Sequence, residues 1–144
     1  MAERRLILVV DTNALLVSIS DRSDFHWLYR ALIDGLFEVA VSTEILEEYA
    51  EIIGRKWHVD VANDVLRTML ELPNVTLTTP FFRLNLIIGD TDDNKFVDCA
   101  FAAGADYLIT NDRHFDILNS YSFPRIRPIT LQTAAALLNT SGSM

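Results

Sequence analysis

The residues of this chain best suited to chemistry are carboxylates that border apolar segments. Asp11 directly follows the apolar run ILVV, and Asp112 closely follows the apolar run YLIT. Glu48 lies within a strongly helical stretch, and Asp93 belongs to the acid-rich turn GDTDD. Buried carboxylates repel one another and are costly to desolvate, so a site that they share needs a cation. Ligands that are all oxygen, without His or Cys, favour Mg²⁺ or Mn²⁺.

Each of these acids also has a local explanation. Asp11 and Asp112 stand between a predicted strand and a predicted helix, where an aspartate side chain commonly caps the helix. Asp90, Asp92 and Asp93 open a helix, whose dipole favours negative charge at that end. Capping explains one or two of these three acids more readily than all of them. From the residues alone, both metal binding and helix capping stay open.

Helical periodicity separates Glu48 from the other acids of the predicted helix Glu44–Trp57. An advance of about 100° per residue places Glu48 roughly 100° from the centre of the apolar stripe of this helix. Three other acids lie about 140° to 160° away and are expected in solvent: Glu44, Glu47 and Glu51. Glu51 is also spaced to pair with Arg55 on the surface. Glu48 is therefore the acid of this helix nearest to the core.

The same angular count selects Asp93 in the segment GDTDDNKFVDCAFAAG. The apolar stripe of this predicted helix, which stops at Gly104, is centred almost on Asp93. Asp98 and Lys95 fall on the opposite side, where we expect Asp98 to be solvated. A carboxylate thus points to the side on which the helix is buried.

The elements that must position these acids alternate between strands and helices. Apolar or β-branched runs predict five strands: Arg5–Val10, Phe37–Val41, Val75–Thr79, Tyr107–Thr110 and Ile126–Ile129. Helical patterns lie between and after them, at Asp24–Asp34, Glu44–Trp57, Val61–Leu72, from Asp93 to Gly104, at Asn111–Leu118 and at Leu131–Leu138. A further short strand is conceivable at Leu84–Ile88. Because parallel strands need crossovers, this order predicts a three-layer α/β/α fold with a central, mostly parallel five-stranded sheet. In such sheets ligands bind at the carboxyl ends of the strands, where the strand order reverses.

Length and composition are those of one globular domain. The 144 residues are half hydrophobic, and we expect a single domain over residues 1–138 followed by a flexible tail at 139–144. The apolar run after MAERR is too short for a signal peptide or a membrane span, which predicts a cytoplasmic protein without membrane association. Cys99 is the single cysteine, which excludes an intramolecular disulfide, and its apolar neighbours predict a core position.

Charge and histidine content narrow the function further. The formal net charge of -8 argues against a general nucleic-acid coat, which normally carries a basic surplus. It does not exclude a nuclease whose acids cluster around a metal. The three histidines show no paired ligand spacing, and we interpret them as surface or packing residues, with His114 close enough to Asp112 to line the rim of a cleft.

Taken together, these segments resemble the PIN-domain ribonucleases, in particular the small prokaryotic VapC-like toxins of type II toxin–antitoxin systems. The resemblance covers nearly the whole chain, about Leu6 to Leu138, and rests on VVDTN, STEILEEYAEII and DTDDNKFVDCAFAAGADYLITND in this order. Carried over position by position, it implies four catalytic, metal-binding acids: Asp11, Glu48, Asp93 and Asp112. It also implies that Thr12, Asn13 and Thr110 orient the carboxylates or a water molecule. Asp90 matches a position that is commonly acidic in this group and is counted with these supporting residues, although the resemblance gives it no definite role.

The resemblance implies hydrolysis of RNA phosphodiester bonds, leaving 5′-phosphate and 3′-hydroxyl ends, with Mg²⁺ or Mn²⁺ as cofactor. Arg113 and Lys95 are candidates to hold the scissile phosphate, and arginine can bind phosphate oxygens at two points. Loss of one ligand, as in Asp93→Asn, is expected to abolish cleavage, with Asp98→Asn as a harmless control. The resemblance implies a cognate antitoxin that blocks the cleft as a partner. A homodimer is expected only because members of the family commonly form one.

Other classes fit less well. A phosphatase of the Asp-x-Asp type lacks its second carboxylate, because Asn13 occupies that position. A receiver-like signalling module would need an acidic pair before Asp11 and a lysine after the last strand, and the sequence has neither. A dinucleotide-binding domain would need a glycine-rich turn after the first strand, where this chain has VVDTNALL without a glycine. The alternative that stays open is a PIN-type module that binds RNA or protein without cutting.

Overall fold

Five parallel strands form the centre of the structure, a computed structural model that describes residues 4–87 and 91–142. The strands are β1 (Ile7–Val10), β2 (Glu38–Val41), β3 (Val75–Leu77), β4 (Tyr107–Ile109) and β5 (Pro128–Ile129). Their order across the sheet is β3-β2-β1-β4-β5, and each neighbouring pair is parallel. The predicted three-layer α/β/α architecture is confirmed, since every crossover between parallel strands carries helical structure.

The α-helices lie close to their predicted positions, apart from the first, for which no bounds are predicted. They are α1 (Thr12–Ile19), α2 (His26–Ile33), α3 (Thr43–Lys56), α4 (Val59–Glu71), α5 (Asn94–Ala103) and α6 (Leu131–Gly142). A 3₁₀ turn at Thr91–Asp93 precedes α5, and a longer 3₁₀ segment spans Arg113–Ser120. The backbone of α6 continues past its predicted end at Leu138, so residues 139–142 are helical. The boundary of the domain at residue 138 stays a prediction.

The sheet reverses its strand order at β1. From β1 the chain moves outward to β2 and β3, then crosses back to add β4 on the other side of β1. With right-handed crossovers, the helices between β1 and β3 cover one face and α5 covers the other. The carboxyl ends of β1 and β4 therefore meet at the topological switch point, where α/β sheets bind ligands. This is the edge at which Asp11 and Asp112 leave their strands.

The short strand considered at Leu84–Ile88 is not formed over residues 84–87, the part that the structure describes. Side chains of α5 bind this backbone instead. The Leu84 N–H donates to Asp98 Oδ1 at 3.0 Å, and Asn94 both accepts from the Ile87 N–H and donates to the Ile87 carbonyl. The segment satisfies its backbone groups against a helix, so it needs no partner strand.

The core is continuous across both faces of the sheet. Cys99 is fully buried in it, as predicted, and burial raises the pKa of its thiol to about 12. Tyr49 of α3 is also fully buried, and its hydroxyl donates to the Val10 carbonyl at the end of β1. This bond ties α3 to the carboxyl end of β1 and so places Glu48, the preceding residue, beside that strand end. No helix among residues 4–87 and 91–142 is both long and apolar enough to cross a membrane.

Candidate metal centre

Asp11 is held at the end of β1 by groups from two strands and a helix. Its backbone N–H donates to the Ile109 carbonyl of β4 at 3.0 Å, which continues the sheet by one residue. Its Oδ1 accepts from the Ala14 N–H at 2.8 Å, so Asp11 does cap α1, and its Oδ2 accepts from the Thr110 hydroxyl. The residue is 6% exposed. Burial raises the pKa of Asp11, and the charges of Asp112 and Glu48 add to that effect.

Glu48 reaches the same edge from α3 and has partners on both oxygens. Thr12, the residue after Asp11, donates its hydroxyl to Oε2, and Lys95 of α5 donates its ammonium to Oε1. The Glu48 side chain is 24% exposed and that of Lys95 is 15% exposed. Glu44, Glu47 and Glu51 are exposed, and Glu51 pairs with Arg55, both as predicted.

Asp93 and Asp112 approach each other across the cleft, with His114 beside both. His114 Nδ1 lies 3.4 Å from Asp112 Oδ1 and 3.9 Å from Asp93 Oδ2. One donor atom from each of these three residues fits within a group whose members are all less than 4.8 Å apart. The Asp93 side chain is 16% exposed, in keeping with its predicted inward direction, and that of Asp112 is 37% exposed. Asp112 also caps the following 3₁₀ segment by accepting from the His114 N–H at 2.9 Å.

Thr110 joins the two strand-end aspartates. Its hydroxyl donates to Asp11 Oδ2 and accepts from the backbone N–H of Asp112 at 2.9 Å. Thr110 is 4% exposed, so this bridge lies in a dry environment where a hydrogen bond also orients its partner. The bridge fixes the direction of the Asp11 carboxylate relative to the backbone at Asp112.

An open cleft of about 330 Å³ lies beside the strand-end aspartates. Asn13 is exposed and lines this cleft together with Asp11, Asn111 and Asp112. Arg113 is exposed in the 3₁₀ segment next to Asp112, on the solvent side of the same edge. Asp90 lies outside the residues that the structure describes.

Two expectations are corrected by the structure. Asp98 is 5% exposed and not solvated, because residues 81–87 cover that side of α5 and use its carboxylate as a hydrogen-bond acceptor. Burial raises the pKa of Asp98, so Asp98→Asn is not a harmless control. Lys95 is paired with Glu48 rather than available to hold a phosphate group.

The donor set fits a hard divalent cation. Carboxylates from four separate segments converge on the carboxyl edge of β1 and β4, and two of them raise the pKa of a third, Asp11. Such repulsion is relieved when a dication binds between the oxygens. Asp93, Asp112 and His114 offer donor atoms that lie within 4.8 Å of one another. Asp11 is connected to Asp112 by the Thr110 hydroxyl.

Sequence reasoning missed two neighbours of the acids. The sequence places His114 at the rim of the cleft and predicts no role for it as a metal ligand. In the described part of the chain, however, its imidazole belongs to the one group of three possible metal donors that lie within 4.8 Å of one another. Imidazole suits ions such as Zn²⁺, Fe²⁺ and Ni²⁺, whereas carboxylates suit Mg²⁺ and Mn²⁺. Lys95 was placed on the solvent side of α5, but the first turn of that helix lies against α3, so a long side chain there reaches Glu48. The only sequence signal for the contact between Lys95 and Glu48 is that a lysine follows Asp93 by two residues in DDNK.

The fold is an all-parallel α/β/α sheet with carboxylates at its switch point, the position where sheets of this class bind ligands. A family model described as "PIN domain" matches residues 7–114. The chain therefore belongs to the PIN-domain family, as the resemblance in its sequence predicted.

Two solved structures support the same fold. VapBC2 from Rickettsia felis, described as bound to a DNA fragment from their promoter, matches with a TM-score of 0.59 at 16% identity, covering 87% of this chain and 98% of that chain. The PIN domain of RRP44 from T. brucei matches with a TM-score of 0.54 at 13% identity, covering 96% of this chain and 85% of that chain. No curated protein sequence matches the chain.

Proposed function

We propose that this chain is an endoribonuclease that uses Mg²⁺ or Mn²⁺ to hydrolyse RNA, leaving 5′-phosphate and 3′-hydroxyl ends. The observation that carries this proposal is the convergence of Asp11, Glu48, Asp93 and Asp112 from four segments on one sheet edge. Folding alone accounts poorly for this arrangement, since like charges held close together at a partly buried edge cost stability. Membership of the PIN family supports a nuclease over other uses of such a centre.

The roles of the residues follow from their surroundings. Asp93 and Asp112 would hold the ion directly, with Asp11 oriented toward it by Thr110 and Ala14. When bound, such an ion supplies a Lewis acid for a phosphate oxygen and lowers the pKa of a water molecule. Arg113, exposed beside Asp112, would bind a phosphate oxygen of the RNA and align the scissile bond. Asn13, on the cleft wall, would orient the RNA or a water molecule in the cleft.

The test is cleavage of a single-stranded RNA in Mg²⁺ or Mn²⁺ by the wild type, Asp11→Asn and Asp112→Asn. The variants should lose more than the roughly 10- to 100-fold that typifies loss of a supporting residue around a metal. Asp116→Asn is the matched control, because Asp116 is an exposed acid in the same 3₁₀ segment as Asp112. For Glu48→Gln the control is Glu47→Gln, an exposed neighbour on α3.

The products report the chemistry. Hydrolysis with an external water should still cut a substrate whose 2′-hydroxyl is replaced by hydrogen at the scissile position, and should yield a 5′-phosphate that a ligase accepts. Products ending in a 2′,3′-cyclic phosphate would contradict the mechanism. Tight RNA binding without cleavage in either metal would favour the non-catalytic PIN module instead.

The proposal also includes a biological role, in which this chain is the toxin of a toxin–antitoxin pair. One matched structure is VapBC2, and the sequence resembles the VapC-like toxins of toxin–antitoxin systems. By analogy, a cognate antitoxin would bind this chain and block the cleft by presenting a basic side chain to the carboxylates. Co-expression with the adjacent gene product should suppress cleavage, and a homodimer of the toxin would appear by light scattering. We place the protein in the cytoplasm, where such a pair would meet RNA.

A further inference from the structure

Lys95 places a positive charge among the acids of the candidate metal centre, in contact with Glu48. It extends from the first turn of α5 to the Oε1 of Glu48 on α3, while the Thr12 hydroxyl occupies Oε2. The lysine side chain is 15% exposed and the glutamate side chain 24%. The surface pair of Arg55 with Glu51, by contrast, leaves the two side chains 68% and 60% exposed. The Lys95–Glu48 pair is thus shielded from water, where ion pairs hold their geometry better than on the surface.

We propose that Lys95 takes the place of a second divalent ion, so that this protein binds a single metal ion. The proposal rests on the metal-dependent function above and concerns how many ions the site holds. Lys95 is in this view a positioning residue: it neutralises Glu48 and holds its carboxylate, together with Thr12, toward the aspartates.

The distribution of donors supports one ion. Among the described residues, the group of three donor atoms lying within 4.8 Å of one another consists of Asp93, Asp112 and His114. Glu48 is not part of that group and is instead bound on both oxygens by Thr12 and Lys95. A dication next to Glu48 would face the lysine ammonium at close range, and like charges repel strongly in a partly buried setting.

The charge balance points the same way. Asp11, Glu48, Asp93 and Asp112 carry four formal negative charges, and Lys95 offsets one of them. A single dication then leaves a slight negative excess, whereas a second dication would leave the cluster positive with Glu48 already paired. Because Lys95 already neutralises Glu48, a second ion bound next to Glu48 would meet the closest repulsion from the lysine ammonium.

Metal stoichiometry tests the proposal directly. Calorimetric titration with Mg²⁺, and titration with Mn²⁺ followed by electron paramagnetic resonance, should give one ion per chain for the wild type and two for Lys95→Met. Lys95→Arg keeps the charge and should still bind one ion. The double variant Lys95→Met with Glu48→Gln should return to one ion, because the second position loses its carboxylate. Lys95→Gln, which is polar and uncharged but one atom shorter than lysine, repeats the measurement if the methionine variant folds poorly by circular dichroism.

The outcomes separate this proposal from the proposed function. One ion in the wild type and still one in both Lys95→Met and Lys95→Gln overturns the role of Lys95 and leaves the metal-dependent nuclease standing. Two ions in the wild type also overturn it. No ion bound by the wild type, at concentrations that saturate other metal nucleases, overturns the metal centre itself.

Discussion

Thr110 donates its hydroxyl hydrogen to Asp11 across 99 positions of the chain. The same oxygen accepts from the Asp112 N–H at 2.9 Å, so one hydroxyl sets the relative position of the two strand-end acids. The proposed metal binding at this edge would depend on that bridge, because a carboxylate turned away from the cleft cannot serve as a ligand.

Replacement of Thr110 by Val should lower cleavage by about 10- to 100-fold, the usual cost of removing a partner that orients a metal ligand. Val keeps the shape of the side chain, so the fold should survive with a loss of roughly 1 kcal/mol in the free energy of unfolding. Kinetics with RNA and urea unfolding measure the two effects separately. Thr110→Ser, which keeps the hydroxyl, should behave like the wild type, and equal activity of Val and Ser variants would contradict the bridging role.

The metal-free protein should become more stable when Asp11 is changed to Asn. Burial raises the folded-state pKa of Asp11, so the protonated carboxyl is the form that the fold prefers. The stability contributed by that form is complete below the unfolded-state pKa and is lost as pH rises through the folded-state pKa. In EDTA at neutral pH, Asp11→Asn should therefore melt roughly a few degrees above the wild type, and the gap should close at low pH.

The divalent ion should reverse that order. On the proposed function, Mg²⁺ should bind the folded wild type and stabilise it by mass action, whereas Asp11→Asn would lack one of the proposed ligands and should gain less. Thermal melts of both proteins in EDTA and in Mg²⁺ provide the check, with Asp116→Asn as the exposed control. An Asp11→Asn variant that is less stable than the wild type in EDTA at every pH would show that capping of α1 outweighs the buried charge.

Asp98→Ala should destabilise the protein by roughly 1–3 kcal/mol, because the Leu84 N–H would lose its acceptor in a partly buried position. The loss should be local first: amide exchange should accelerate over residues 81–87 before the sheet opens. Asp98→Asn retains an oxygen acceptor and should be milder. Unchanged exchange in that segment would contradict the anchoring role of Asp98.

Acid unfolding should depend on Asp106, far from the candidate metal centre. The Arg4 guanidinium contacts both carboxylate oxygens, at 2.8 and 3.1 Å, and the Ile7 N–H donates to one of them at 2.8 Å. The hydrogen bond from Arg4 is the main cause that lowers the pKa of Asp106. Stability from a lowered pKa is present above the unfolded-state pKa and is lost as pH falls through the folded-state pKa.

Asp106→Asn should therefore melt roughly a few degrees below the wild type at pH 7 and match it in strong acid. Its affinity for Mg²⁺ should not change, since Asp106 lies at the opposite edge of the sheet, before β4. A melting difference that persists unchanged in strong acid would mean that packing, and not ionisation, accounts for the effect.

The sequence by itself determined the fold class and the family. Apolar strands alternating with amphipathic helices predict a parallel sheet, because parallel strands require helical crossovers, and the structure and the family match confirm both. Helical periodicity also selected Glu48 and Asp93 from among their neighbours, since the face of a helix follows from spacing alone. The catalytic and ligand roles of those residues stay predictions.

Only the tertiary structure decided what each charged group touches. Spacing along α5 placed Asp98 and Lys95 on an outer face, but a segment from elsewhere in the chain covers Asp98 and α3 receives Lys95. The bridge from Thr110 to Asp11 and the approach of His114 to Asp93 likewise join residues distant in sequence. Periodicity predicts which face of a helix turns toward the core. Contacts between elements depend on how the crossovers place those elements relative to one another, and local sequence does not determine that placement.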